Sequence, residues 1–339
     1  MEYKVIFAGR LEFGTSRSYE KVLKQFEHRR ENYYRNDVLF QTEDIFIEDE
    51  QALYIERSLL RNVSQKSWQN TVNILKQVAQ YAVAGDINAW KLNVEGLVKH
   101  LVIEPETEKT AVQAYRTGRE LVQEKGREEE AYAALTRAID KFSRHALAYE
   151  RRGYVNFKLG NLEDALYDYN KSIDINPHKP EPYMGRAMIY LKKKDLTALV
   201  DDLDNVLKYS IPHQPMYWNA RLMKAEKLLE MSRFEEAAYE YRLFVKRNLA
   251  EDHPLQSRRR RAHYEYAKAL MATGKAKEAR DILDAALKTP EAKGAPSNAE
   301  ILVQRGLAGK EAGTKGYRED WKKAAGQGSK KAEKLLAEH

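Results

Sequence analysis

One spacing recurs along most of this chain and limits what it can fold into. From Gly153, a small residue follows at Ala165, an aromatic at Tyr169, a second small residue at Ser172 and a proline at Pro177, at steps of 12, 16, 19 and 24. Gly153 has no side chain to hold off a crossing helix. Ala165 lets that second helix approach, and Tyr169 fills the gap between the two. Gly160-Asn161 separates the helices, because both residues tolerate the left-handed conformation that ends a helix. Pro177 stops the second helix, since a residue before proline is pushed out of the α region. Within each half the apolar spacing is helical rather than alternating.

The steps of 12, 16 and 19 recur from Ala187 (Leu199, Leu203, Val206), from Ala225 (Ala237, Tyr241, Phe244) and from Ala267 (Ala279, Leu283, Ala286). Upstream, Gly118, Ala131, Leu135 and Ala138 match with one extra residue; downstream, Gly306, Gly316, Trp321 and Ala324 match with shortened steps. Successive origins lie 35, 34, 38, 42 and 39 residues apart. A period near 34 with two helices per unit is the mark of a helical solenoid. The pattern resembles the tetratricopeptide repeat (TPR) family, and Tyr149, Gly153, Gly160, Ala165, Tyr169, Ser172 and Pro177 carry the resemblance in the best unit. It covers about residues 111–339. Lys194-Asp195 and Ser232-Arg233 depart from the usual glycine-led turn. The fold expected is an α+β N-terminal domain followed by an all-α TPR-like helical solenoid of five to six hairpins with a capping helix at its end.

The domain boundary is expected at Glu104-Pro105-Glu106-Thr107, giving domains 1–105 and 106–339. Residues 1–105 escape the repeat. Glu2 to Phe13 alternates like a strand, helical spacing runs from Tyr19 to Asn36, and Val38, Phe40, Ile45 and Ile47 look extended. Ala52 to Leu60 alternates again, and Trp68 to Ala82 is a second amphipathic helix. The order expected is about β-α-β-β-α, with Leu92 to Ile103 open between strand and helix. Two helices over one sheet face leave the other face or an edge for capping the first repeat or for pairing with a second copy.

Charge is uneven. The 339 residues carry a net +7. Residues 255–339 hold 19 Lys/Arg and 11 Asp/Glu, a net of +8, so the whole excess sits in the last quarter. Absence of cysteine removes disulfides, thiolate metal sites and cysteine nucleophiles. The first residues lack the continuous apolar core of a signal peptide, and no run of about 18 apolar residues suggests a membrane span. A cytoplasmic protein is expected. The eight histidines are dispersed, without a metal pair at helical spacing. No glycine-rich phosphate loop or nucleophile elbow occurs. Neither a cofactor, a metal nor a catalytic residue is expected.

The TPR resemblance implies that the first helix of each hairpin lines a concave face. Counted from the origins, that lining comprises Tyr115, Arg119, Tyr154, Phe157, Lys158, Met184, Met188, Lys192, Glu226, Tyr264 and Lys268, with Glu150 beside Tyr154. Glu150 and Tyr154 stand where the family's carboxylate clamp needs Lys and Asn, which argues against that ligand. Aromatic, thioether and basic groups together suit a protein segment, with apolar anchors for affinity and charges for orientation. The function expected is therefore a non-catalytic protein–protein interaction scaffold. Arg258, Arg259, Arg260 and Arg261 form the sharpest charge cluster and oppose the dipole of the helix they begin. They are either stems packed at a helix start or a dock for nucleic acid or an acidic partner. Self-assembly through the N-terminal domain is a further alternative.

Overall fold

The computed structural model describes residues 2–249 and 253–339. Two compact units follow one another, Met1–His213 and Gln214–His339.

The first unit begins with strand β1 (Glu2–Glu12), helix α1 (Ser16–His28) and a π turn over Arg29–Tyr33. A short helix α2 (Thr42–Ile45), strands β2 (Phe46–Ile47) and β3 (Ala52–Ser64), and helix α3 (Gln65–Ala79) follow. Strands β4 (Ala84–Asn93) and β5 (Gly96–Ile103) complete an antiparallel sheet of order β2-β3-β1-β4-β5. Thr15 caps α1 by accepting the Ser18 amide at 3.2 Å. Val38 and Phe40 are not in a strand; they leave the chain as a loop and still enter the core, where Phe40 meets Phe7 edge-on at 5.4 Å. Phe7, Phe13, Phe26, Trp68 and Leu75 are fully buried between the sheet and α1 and α3.

Strand β4 is absent from the order expected from sequence. It sits inside the sheet with both faces covered, so it lacks the alternation of a half-solvated strand. One face contributes Ile87 and Ala89 to the core; the other carries Asp86, Asn88 and Trp90. Strand β5 is an edge, with Leu97, Val98 and Val102 exposed around Lys99. A charged residue on an edge discourages pairing with another chain.

Three hairpins complete the first unit: α4 (Thr110–Leu121) with α5 (Glu128–Lys141), α6 (Ala146–Leu159) with α7 (Leu162–Ile175), and α8 (Pro180–Lys193) with α9 (Leu196–Tyr209). The central hairpin is built as its sequence dictates. Gly160 ends α6 in the left-handed conformation. A methyl group on Gly153 would stand 3.1 Å from the Tyr169 ring, so the missing side chain is what admits the tyrosine. Lys194 closes α8 with φ of 60°, taking the role of the absent glycine. The second unit repeats the arrangement with α10 (Pro215–Glu230) and α11 (Phe234–Val245), α12 (Gln256–Ala272) and α13 (Ala276–Lys288), and α14 (Asn298–Glu311) and α15 (Tyr317–Gly326). A last helix, α16 (Lys330–Glu338), packs on α15 and presents a polar outer side, as a solenoid cap should.

A titratable cap ties α6 down. His145 is 1% exposed, lies tilted against Tyr115 with ring centroids 4.8 Å apart, and its Nδ1 accepts the Ala148 amide at 3.2 Å. Burial lowers its pKa to about 4 from the ordinary 6.5. The unfolded chain therefore binds this proton first as pH falls. The stability contributed is complete above pH 6.5 and drains as pH drops towards 4, by on the order of 3 kcal/mol. We expect His145→Asn, which keeps a capping acceptor without titrating, to lose less stability than the parent between pH 7 and 4.5 in urea unfolding. An identical loss would show that His145 does not govern this interval.

Candidate interaction surface

Within the first unit, the leading helices α4, α6 and α8 hold the residues expected to line a groove, and the sheet divides them. Strand β4 packs on α6. Asp86 accepts from Lys179 Nζ at 2.8 Å, and both side chains are almost wholly buried. Burial opposes the Lys179 charge, but Asp86 and Glu181 outweigh it and hold its pKa above the ordinary value. Tyr54 of β3 meets His178 at 2.7 Å, and Arg57 donates to the Ser210 carbonyl. Trp90 and Leu92 bury Ile211. Arg144, ahead of α6, reaches Glu12 and Glu50. The second face of the sheet thus lies on the repeats, along the connections ahead of α6 and α8 and the residues after α9.

Two of the expected groove residues lie on this covered side. Tyr115 is buried, and that burial pushes its phenol up to about 12. Arg119 forks onto Glu104, just after β5, at 2.6 and 3.1 Å. Glu150 is also buried, and desolvation raises its carboxyl pKa. The remaining residues of this unit stay accessible. Tyr154 is exposed, with Lys158 over its ring; Lys158 also pairs with Glu128 at 3.0 Å. Phe157, Met184 and Met188 are half-buried, and Lys192 lies 4.3 Å above the Phe157 ring. In the second unit Glu226 and Lys268 are exposed and Tyr264 is half-buried.

The four arginines separate into two pairs. Arg259 donates to the carbonyls of Val245 and Arg247 at the end of α11. Arg260 is 2% exposed and donates to the carbonyls of Thr289 and Pro296 and to Asn298 Oδ1. Both satisfy carbonyls left over at helix ends. Arg258 and Arg261 are exposed on α12.

One recurring device escaped the sequence reading. Arg152 forks onto Asp168 of its partner helix at 2.8 and 3.0 Å and reaches Thr136 of the preceding hairpin. Arg186 repeats this with Asp202 and Asn170, and Arg305 with Asp320 and Asp284. Each guanidinium joins three helices, using the planar donor fork that lysine lacks. The signal was present, since each arginine immediately precedes a repeat origin, at Gly153, Ala187 and Gly306. These are structural clasps. Among the described residues no cluster of His, Asp and Glu could hold a metal ion, and no helix is long and apolar enough to cross a membrane.

Comparison with known proteins agrees with this architecture. Profiles described as Tetratricopeptide repeat match residues 146–179 and 222–299. A TPR repeat-containing protein of Methanocaldococcus jannaschii is 35% identical over 74 residues, which are 22% of this chain and 13% of that protein. DnaJ homolog subfamily C member 7 of Mus musculus is 28% identical over 138 residues, 39% of this chain and 26% of that protein. The chain thus spans only a small part of the length of either relative. Among solved structures, YrrB, titled a TPR protein with an unusual peptide-binding site, is 18% identical with a TM-score of 0.46, covering 56% of this chain and 90% of its own. The class defined is a helical-repeat solenoid carrying a sheet domain at its start. Residues 146–179 and 222–299 match the tetratricopeptide repeat, whose arrays serve as scaffolds for protein–protein interaction.

Proposed function

We propose that this protein is a non-catalytic scaffold that holds a segment of a protein partner against its leading helices. In the first unit the contact strip is Phe157, Met184, Met188 and Lys192, with Tyr154 and Lys158 beside it. The observation that carries the reading is the selective access of these groups. Tyr115 on α4 and Glu150 on α6 are sealed, whereas an apolar strip with a cation above Phe157 stays open. Methionines adapt to the shape of a ligand, and the lysines orient it by charge. Residues 1–105 act as a domain that braces the first of the repeats in 106–339, through the buried Asp86–Lys179 pair. Binding of arrayed random twelve-residue peptides to the full chain tests the strip. Tyr154→Ala with Met188→Ala should lower the affinity of retained peptides at least tenfold, about 1.4 kcal/mol. Unchanged affinity would remove the strip from the binding surface.

A further inference from the structure

The four arginines at the start of α12 pose a charge problem that only two of them solve internally. Cations in a first helical turn face the positive end of the helix dipole. Arg259 and Arg260 are compensated by backbone carbonyls. Arg258 has only the neutral Asn219 side chain, at 3.2 Å, and Arg261 makes no hydrogen bond or ion pair among the described residues. Both line one cavity of about 340 Å³ within the second unit, closed on one side by the turn Ala292–Ala295 that carries Lys293. Tyr241 lines the same cavity. It is 1% exposed, and its hydroxyl is buried without a hydrogen-bond partner. A buried hydroxyl left unpaired is destabilising, and a ligand oxygen that accepts from it would remove that cost.

Charge selects the ligand. Arg258, Arg261 and Lys293 face two carboxylates, Glu226 and Glu265, and Lys268 neutralises Glu265 at 2.8 Å. Four cations against two carboxylates leave two positive charges in excess. A carboxylate would cancel one of them; a phosphate monoester, with about −1.5 to −2 charges and three acceptor oxygens, matches both the charge and the number of donors. We propose that this cavity binds the phosphate monoester of a phosphorylated side chain in a protein segment, through Arg258, Arg261, Lys293 and the Tyr241 hydroxyl. The assignment rests on the scaffold reading above for the source of the phosphate, but on different residues in a different unit.

The test uses the full chain and a random heptapeptide mixture with a fixed central phosphoserine, read by fluorescence anisotropy against the same mixture with serine. The phosphorylated mixture should bind at least tenfold more tightly. Arg258→Gln with Arg261→Gln should abolish the difference. Tyr241→Phe, which keeps the ring, should reduce it several-fold without lowering the unfolding midpoint. Tyr154→Ala with Met188→Ala should leave the difference intact, so failure of the first-unit strip stays distinguishable from failure here. Equal binding of both mixtures, or no effect of the arginine replacements, overturns the proposal. Displacement by inorganic phosphate at equal concentration would assign the cavity to free phosphate and reject a phosphorylated segment. Displacement by a twelve-residue oligothymidylate would overturn it in favour of nucleic acid.

Discussion

Replacing Lys179 by methionine is expected to destabilise the first unit by about 3–5 kcal/mol, because it leaves a buried carboxylate without its countercharge. Lys179 Nζ sits 2.8 Å from Asp86 Oδ2, with side-chain exposures of 14% and 12%. The other oxygen, Asp86 Oδ1, is already buried without a hydrogen bond, so little remains to receive the charge if the ammonium goes. Lys179 also lies within the field of Glu181, whose Oε2 is buried and unpartnered. The pair itself need not be a net source of stability, since removing two charges from water costs about what their attraction returns. The double replacement Lys179→Met with Asp86→Leu should therefore recover most of the loss and return to within about 2 kcal/mol of the parent. Urea unfolding of the parent, both single variants and the double variant closes the cycle. A single Lys179→Met loss below about 1 kcal/mol would mean that the sheet is not locked to α8 at this point.

How much of this was legible beforehand depends on whether a constraint was local. The hairpins were readable because Gly153, Ala165 and Tyr169 each solve a contact between consecutive helices, and such contacts recur at fixed spacing. The alternation of β1 and of β3 was readable for a similar reason: one face of each is repeatedly apolar. Strand β4 was not, because its polar face, Asp86 and Asn88, is covered by helices roughly 60 to 90 residues further on. Nothing in ten residues announces a distant cover. The same distance hid the fate of Tyr115 and Arg119. Their position within a repeat places them on the leading helix α4, but only the tertiary arrangement brings Glu104 to Arg119. The arginine run shows the converse. Composition displays four equivalent charges, while geometry assigns Arg259 and Arg260 to helix ends and leaves Arg258 and Arg261 outside. Sequence reveals the charge of a patch well and its accessibility poorly.

The other large effect is expected at Gly85, where a side chain has no room and a rotamer change cannot make any. Gly85 lies opposite Leu11 across the β1–β4 seam, at φ of +97°. A methyl group there would fall 2.0 Å from the Arg10 carbonyl oxygen and 2.9 Å from its carbon. Both obstacles are backbone, so one strand would have to leave the other. Gly9 faces the same seam from β1, where a methyl group would meet the Asp86 carbonyl oxygen at 2.2 Å. Gly85→Ala should cost ~4 kcal/mol or more, which puts it among the exceptional single replacements. Gly96 is the control. Its φ is +132°, yet nothing lies within 4 Å, so Gly96→Ala should incur backbone strain alone, about 1–3 kcal/mol. The effect of Gly85→Ala should also travel along β4. Asp86 is the next residue, and Trp90, 5% exposed, packs on Ile211 from the same strand. Displacing β4 should therefore hydrate Trp90 and shift its fluorescence to longer wavelength, while Gly96→Ala leaves the emission unchanged. Equal melting temperatures for the two variants would show that the seam between β1 and β4 yields more easily than its spacing allows, and that the sheet holds the repeats by its side chains rather than by the register of this strand.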